Sequence, residues 1–354
     1  MRLVHLNSDR GIHPSRKKGA AVHLAAMREA FLELGAEVVA IDEPDALLAR
    51  EALSNTLRMG PLGLVYERLA LGAFAGSEFA LEHSLAHVIE VNAPLDEEQT
   101  RYRPEAQNLG DSERLKAALQ AAHLVLCVSQ DCATWARSRG ARPAHILVAG
   151  NGVDPRRFHP GRRAEGLTAK SIPADAFVIG FHGRLRPWHG FERLVATVQA
   201  LHERGLKVHL SMVGKGDFAE VIGDALPTSC WSHIPWVDHE EVGAHVARFD
   251  CLPLTYDPNS PCYFSPLKLL EGMAAGAVAI VPDLGGLAET VQQGRAGCVY
   301  DPESLDELTE ITAELCRDTQ TRERLAEAGR RVAAEHSWSA IAGQVLMRCG
   351  APVQ

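Results

Sequence analysis

No apolar run in this sequence approaches the roughly 18 residues that a membrane span needs, so a transmembrane helix is not expected. A signal peptide is not expected either: Met1-Arg-Leu-Val-His-Leu-Asn7 turns polar too soon and reads as the opening strand of a domain. The eight cysteines include no C-x2-C pair and no zinc-ligand spacing, and are most simply reduced, mostly buried thiols of a cytoplasmic protein. Positive charge is also in deficit, and a net charge of -9 gives no general reason to expect a nucleic-acid partner. Contact with a membrane would have to come from a surface patch that the sequence does not locate. What is present, 46% hydrophobic and 23% charged residues over 354 positions, suits a globular enzyme or binding protein of two domains.

The most informative stretch is Tyr263-Phe-Ser-Pro-Leu-Lys-Leu-Leu-Glu-Gly-Met-Ala-Ala-Gly276. Ser265 suits an N-cap, Pro266 the first helical position and Gly276 the terminator, so a helix is expected from Pro266 to about Ala275. Leu267, Leu270 and Ala274 recur at the spacing of a buried stripe. Lys268 would lie in the first turn, where the helix dipole disfavours a cation and a nearby anion would explain it. Glu271 would sit among core residues, where a carboxylate needs donors such as sugar hydroxyls. The helix is flanked by expected strands at Asp250–Leu254 and Ala277–Val281, which places its start at the carboxyl edge of a parallel sheet, where such folds bind ligands.

The chain before it reads as one alternating strand and helix pattern. Strands are expected at Arg2–Asn7, Ala36–Asp42, Leu62–Tyr66, His87–Val91, Leu124–Val128 and Ile146–Val148, with helices over Gly19–Leu34, Leu69–Leu81, Ser112–Ala122 and from the Ser129 cap to Arg139. A basic loop, Asp9–Lys18, precedes the first helix in the arrangement that receives anions. Glu67, Arg68, Glu90 and Asn92 fall at strand ends and are candidates for contacting substrate. From Pro155 to Pro173 periodicity is lost, and the interdomain linker is placed there. The pattern then restarts with a strand at Ala176–Phe181, a polar loop His182–Gly190, a helix Phe191–Leu201, a strand Leu206–Val213 and a turn Gly214-Lys-Gly216. Gly214 to Ala219 also matches G-x-G-x-x-A, but no acidic residue closes the next strand, so a dinucleotide site there is poorly supported. A strand Gly297–Tyr300, a helical tail from Leu305, a break at Ser337-Trp338 and a last helix Ala340–Arg348 complete the chain.

In their order and spacing, several words make the chain resemble glycosyltransferase family 4 over nearly its whole length. They are Lys18-Gly-Ala-Ala-Val-His23, Tyr66-Glu-Arg68, Glu90-Val-Asn-Ala-Pro94, Asn151-Gly-Val-Asp154, Gly183-Arg184 with Trp188-His-Gly190, Val213-Gly-Lys-Gly216, Ser265-Pro-Leu-Lys268 with Glu271, and Gly285-Gly286 with Glu289. The resemblance implies an α/β fold of the GT-B class, two doubly wound Rossmann-like domains facing a central cleft. Residues 1–160, joined by the helix within 337–354, would bind the acceptor, and residues 170–336 the nucleotide sugar. It further implies retaining, metal-independent transfer of a sugar from a nucleoside diphosphate, UDP in preference to GDP, to a hydroxyl acceptor such as a glycan, a lipid-linked glycan or a small metabolite. No cofactor beyond that donor is implied.

By the same resemblance Arg184, Lys268 and Asn92 would act in catalysis. Gly19, His189, Gly214, Gly216, Tyr263, Ser265, Leu267, Glu271 and Glu289 would line the donor site, and His23, Glu67, Arg68 and Glu90 the acceptor side. The acceptor itself would be read by loops at roughly Asp9–Lys18 and Asn92–Arg103. Three positions depart from the family pattern: Tyr263 stands for its first glutamate, His189 for the lysine after the loop arginine, and Asn92 for a histidine. Those departures keep a non-catalytic nucleotide-sugar binder in view as an alternative, beside a GT-B sugar-nucleotide epimerase and a nicotinamide oxidoreductase.

Overall fold

The computed structural model describes residues 1–12, 19–102, 112–163, 172–260, 262–263, 265–292 and 294–350. The expected loops at Asp9–Lys18 and Asn92–Arg103 and the linker at 155–173 run partly outside these residues. Chain contacts separate two compact units. The first comprises Met1–Asn151, Tyr263–Ser265 and the stretch from Trp338 onward; the second comprises Gly152–Cys262 and Pro266–Ser337.

In the first unit the strands are β1 (Arg2–Asn7), β2 (Glu37–Asp42), β3 (Leu64–Arg68), β4 (Ala86–Val91), β5 (Leu124–Cys127) and β6 (Ile146–Val148), parallel and ordered β2-β1-β3-β4-β5-β6. The strand order reverses between β1 and β3, so their carboxyl ends open a crevice. One sheet face packs Val4, Leu6 and Val65 against Leu53 and Phe79 of the helices Ala46–Arg58 and Ala75–Glu82. Each such fully buried aliphatic or aromatic side chain contributes about 1.5–3 kcal/mol. The other face meets the helix Gly19–Glu33, where Phe31 stacks edge-on against Tyr66 with ring centroids 5.3 Å apart. The terminal helix Trp338–Arg348 packs on that same helix.

The second unit repeats the design with β7 (Phe177–His182), β8 (Val208–Val213), β9 (Trp231–Ile234), β10 (Cys251–Pro253), β11 (Val278–Pro282) and β12 (Cys298–Tyr300), parallel and ordered β12-β11-β10-β7-β8-β9. Its reversal lies between β7 and β10. Leu194, Val198 and Leu201 of the helix Phe191–Glu203 sit at helical spacing over Ile179 and Leu210 of the sheet. All eight cysteines are free thiols, and no described helix is long and apolar enough to cross a membrane.

Several boundaries differ from expectation. The helix Ala46–Arg58 and the edge strand β9 were not foreseen; Leu47 and Leu48 are exposed in that helix, which blurs its apolar stripe, although Asp45 caps it through the Leu47 and Leu48 amides. The helix expected from Leu69 begins only at Ala75, because residues 70–73 form a turn closed by an Ala70–Ala73 bridge. The third strand runs on through Arg68, so Tyr66, Glu67 and Arg68 alternate between faces. Ser265 does not cap the helix after it. That helix is Leu267–Ala275, Pro266 occupies its N-cap position with no side-chain cap, and Gly276 ends it with φ 96°.

The alternation settles Glu67. It lies on the face opposite Arg68 and Glu90, where its Oε2 meets His87 Nε2 at 3.1 Å and its Oε1 accepts from the Gly76 amide at 3.1 Å. Buried and satisfied, it holds the helix Ala75–Glu82 to the sheet and does not join the acceptor-side residues. Glu67→Ala should therefore cost about 3–5 kcal/mol of stability, the usual result of stripping one partner from a buried pair. Denaturant unfolding reads this directly; a variant as stable as the parent chain would overturn the assignment.

Candidate functional site

In the second unit, polar groups gather where β7 and β10 diverge. His182 ends β7, and the loop after it carries Arg184 and His189 before the helix Phe191–Glu203. That loop is pinned: Thr255 Oγ1 donates to the His189 carbonyl at 2.9 Å, and Gly190 adopts φ 56° with its Cα so close to Thr255 that a Cβ would lie 2.0 Å from the carbonyl oxygen. No other residue fits there without moving backbone. Gly214 and Gly216 shape the neighbouring turn. Leu185 N donates to Lys215 O at 2.8 Å, and a Cβ on Gly214 would come within 2.1 Å of Gly183 O. As placed, these two glycines let the turn after β8 nest against the loop bearing Arg184.

Lys268 enters from the first turn of the helix Leu267–Ala275. Its Nζ stands 4.4 Å from the centre of the Phe181 ring and donates to His189 Nε2 at 3.3 Å. An ammonium over a ring face is attracted by the ring quadrupole. Among the described residues it makes no ion pair with a carboxylate. Burial lowers Lys268 to about 7 despite the pull of Glu271. His189 is buried, and that burial, with Lys268, Arg186 and His182 around it, lowers its ring to about 2. The imidazole is thus neutral, and because Nε2 accepts from Lys268 its hydrogen sits on Nδ1, which has no partner among the described residues.

Glu271, one turn further along, is 9% exposed and accepts from His182 Nε2 at 2.9 Å. Burial raises its carboxyl to about 7, with Lys268 opposing. Leu267 opens the helix and is half-buried. Arg184 is exposed and has no hydrogen bond or ion pair among the described residues, so its guanidinium is available to a ligand. Glu289 is exposed on the short helix Leu287–Thr290, and among the described residues no side-chain hydrogen bond brings it to the others. No described group of three His, Cys, Asp or Glu side chains could hold a metal ion.

In the first unit the face of β1, β3 and β4 covered by the helix Gly19–Glu33 is polar at its carboxyl end. His5 pairs in register with Tyr66, and Arg68 with both Asn7 and Glu90. Glu90 is fully buried; burial alone would raise its carboxyl, but His23 and Arg68 outweigh it and hold the group at about 2. His23 Nε2 makes a very short contact to Glu90 Oε1, and its Nδ1 lies 2.6 Å from Asn151 Oδ1. Asn151 Nδ2 donates to the Ser265 carbonyl, which fixes the amide's orientation. Ser265 Oγ accepts from the Asn151 amide at 2.9 Å, and the Tyr263 carbonyl accepts from Ser129 Oγ at 2.5 Å. Tyr263 and Ser265 are thus bonded within the first unit. Gly19 starts its helix, exposed. Asn92, half-buried beyond β4, keeps a buried Nδ2 with no partner among the described residues.

Of the expected residues, the second unit brings together His189, Lys268 and Glu271, with Arg184 on the same loop as His189. The first brings together His23, Arg68 and Glu90. Sequence reasoning gave no role to His182, Phe181, Thr255, His5 or Tyr66. The signal for Tyr66 was available in its i, i+2 relation to Arg68 along one strand; that for Thr255 and Phe181 was not, because their contacts come from other strands.

Residues 176–318 match the family described as Glycosyl transferases group 1. The chain is 25% identical to D-inositol 3-phosphate glycosyltransferase of Kribbella flavida over 285 residues, which cover 75% of this chain and 63% of that protein. It is 28% identical to the GDP-mannose-dependent alpha-(1-6)-phosphatidylinositol monomannoside mannosyltransferase of Mycobacterium tuberculosis over 204 residues, 55% of this chain and 53% of that one. The chain thus spans between half and two thirds of the length of these relatives. Among solved structures, Anabaena HepE in complex with UDP superposes with a TM-score of 0.73 at 19% identity, over 99% of this chain and 100% of that chain. The fold is that of the GT-B glycosyltransferases, and the resemblance to glycosyltransferase family 4 is borne out.

A desolvated lysine whose burial outweighs its attraction to Glu271 is a cost to the ligand-free protein. Its depressed value means that the folded chain binds fewer protons than the unfolded one between about 7 and the ordinary lysine range, so the cost is fully present below pH 7 and fades as pH rises through that window. Lys268→Met should therefore raise the melting temperature at pH 6 by about 2–4 °C, with the gain shrinking toward pH 10. Thermal unfolding of both proteins at the two pH values checks this; destabilisation at pH 6 would show that the ammonium is well compensated.

Proposed function

We propose that this relative of the group 1 glycosyltransferases transfers a sugar from a nucleoside diphosphate sugar to a hydroxyl acceptor, with retention and without a metal ion. The observation that carries the reading is Lys268: a cation at the positive end of a helix with no side-chain cap, beside a neutral imidazole, with Glu271 one turn away attracting it but no carboxylate in ion-pair contact among the described residues. Such a group is explained by an anion that occupies the site. A diphosphate would accept from the amides of the first turn, from Lys268 and from Arg184, and the neutral His189 would keep the ammonium aimed outward. As the glycosidic bond breaks, charge develops on the leaving phosphate, and these fixed groups stabilise it without reorganising. Glu271, oriented by His182, would accept from the ribose hydroxyls. Retention follows if the departing phosphate takes the proton of an acceptor that attacks from the same face, which asks no general base of the protein.

UDP is the first base to test and GDP its competitor, since HepE was crystallised with UDP and the mycobacterial relative is named for GDP-mannose. Incubation with UDP- and GDP-sugars and a panel of hydroxyl compounds should give acceptor-dependent release of nucleoside diphosphate. Binding without turnover would leave a nucleotide-sugar binder, and no binding of either class would overturn the reading.

Two variants test the roles. Glu271→Ala should weaken donor binding by about 1–3 kcal/mol, the loss of a charged acceptor; Arg184→Ala should lower turnover while leaving the melting temperature unchanged, because the side chain is exposed. Donor binding should also strengthen as pH falls from 8 to 6, because Lys268 gains its proton around 7 and meets the diphosphate directly, a gain that outweighs the weaker acceptor Glu271 becomes as it is neutralised over the same range. Titration of the donor by calorimetry across that range checks the sign, and tighter binding at pH 8 would contradict it.

A further inference from the structure

The polar cluster at the β1–β3 crevice of the first unit is unbalanced in its hydrogen bonding. Arg28 Nε donates to His5 Nδ1 at 2.9 Å, so the hydrogen of the neutral His5 ring is on Nε2, which has no partner. Arg68 Nη1 and Asn92 Nδ2 are likewise buried donors with no hydrogen-bond partner among the described residues, while Tyr66 bonds toward Glu90. Against these three unmatched donors stands one acceptor, Glu90 Oε2, which is ion-paired with Arg68 Nη1 at 3.7 Å but beyond hydrogen-bonding range of it. His5 and Tyr66 are opposite each other deeper in the sheet and face Glu90. Arg68, 8% exposed, and Asn92 are nearer the edge.

Leaving buried donors unpaired costs about 1–3 kcal/mol each, more for a guanidinium. Even if Glu90 Oε2 takes the deeper donors, Arg68 and Asn92 remain: Arg68 ends β3 in register with Glu90 of β4, and Asn92 follows Glu90 by two residues, so both fall on one side of the sheet at neighbouring carboxyl ends. The missing component is an acceptor-only group. A neutral polyol brings a donor with every acceptor; an oxyanion brings acceptors alone and matches the planar fork of arginine.

We infer that Arg68 and Asn92 form an oxyanion subsite, and that the hydroxyl acceptor of this protein carries a phosphate or carboxylate group that binds there. This deepens the proposed transfer and rests on it for the word acceptor, but the subsite itself can be measured without turnover. Inorganic phosphate, acetate and neutral myo-inositol are titrated into the full chain by calorimetry, once with UDP saturating the second unit and once in Lys268→Met to silence that unit's anion site. Phosphate or acetate, but not myo-inositol, should bind in both settings, and whichever anion binds tighter names the group. Arg68→Met should weaken that binding by roughly tenfold or more. Since Arg68 is buried and its loss could disturb folding, Asn92→Asp serves as the second variant; it places a like charge at the half-exposed edge and should abolish anion binding while UDP affinity stays unchanged.

Equal binding of myo-inositol and phosphate, or anion affinity unmoved in both variants, would overturn the subsite. Failure of UDP to bind while phosphate still titrates Arg68 would instead defeat the proposed transfer and keep the subsite.

Discussion

An ammonium held in the first turn of a helix, over an aromatic ring and against an imidazole that cannot share its charge, is the constraint on which the second unit turns. Two penalties meet at Lys268: desolvation and the positive end of the helix dipole. What offsets them within the protein is the pull of Glu271, a contact with the Phe181 ring and a hydrogen bond to His189. The surrounding architecture enforces the position. Thr255 and Gly190 lock the His189 loop onto the strand beside it, and the β7–β10 reversal leaves room above. A site so arranged is stable only relative to the whole domain, which is why an anion there is part of the proposed function.

The first unit uses burial differently. On one face of β3, Glu67 meets a histidine and a backbone amide and is satisfied; one residue along, Arg68 faces the other way into a cluster rich in donors. Two adjacent charges with the same burial therefore have opposite meanings. The first is a structural tie, because each of its carboxylate oxygens has a partner. The second stands among more donors than acceptors, which is the ground for the anion subsite inferred there. Counting donors against acceptors separates the two where burial alone cannot.

Both units place their unusual groups at the point where strand order reverses, as doubly wound sheets do generally, since neighbouring loops there run to opposite faces and leave the strand ends uncovered. The helix Leu267–Ala275 illustrates how local economy serves that site. Its N-cap position is a proline, which supplies no side-chain acceptor, and the serine before it is spent on Asn151. Had Ser265 capped the helix, the first amides would have been satisfied by the protein and less open to a ligand.

The sequence by itself determined the alternation of strands and helices, the glycine that ends the Leu267–Ala275 helix, the placement of Lys268 in its first turn, and the family words whose order matched the GT-B fold. These are set by periodicity and by residues whose conformational preferences act over a few positions. Tertiary structure alone decided which of the strand-end residues act together. It turned Glu67 away from Arg68, because strand β3 continued two residues further than its apolar run suggested and the side chains alternate in sides. It gave Ser265 to Asn151, set His182 behind Glu271 and Phe181 beneath Lys268, and surrounded Arg68 with unmatched donors. Such pairings depend on register between strands far apart in the chain, and a linear pattern holds no record of which atoms face one another across a sheet.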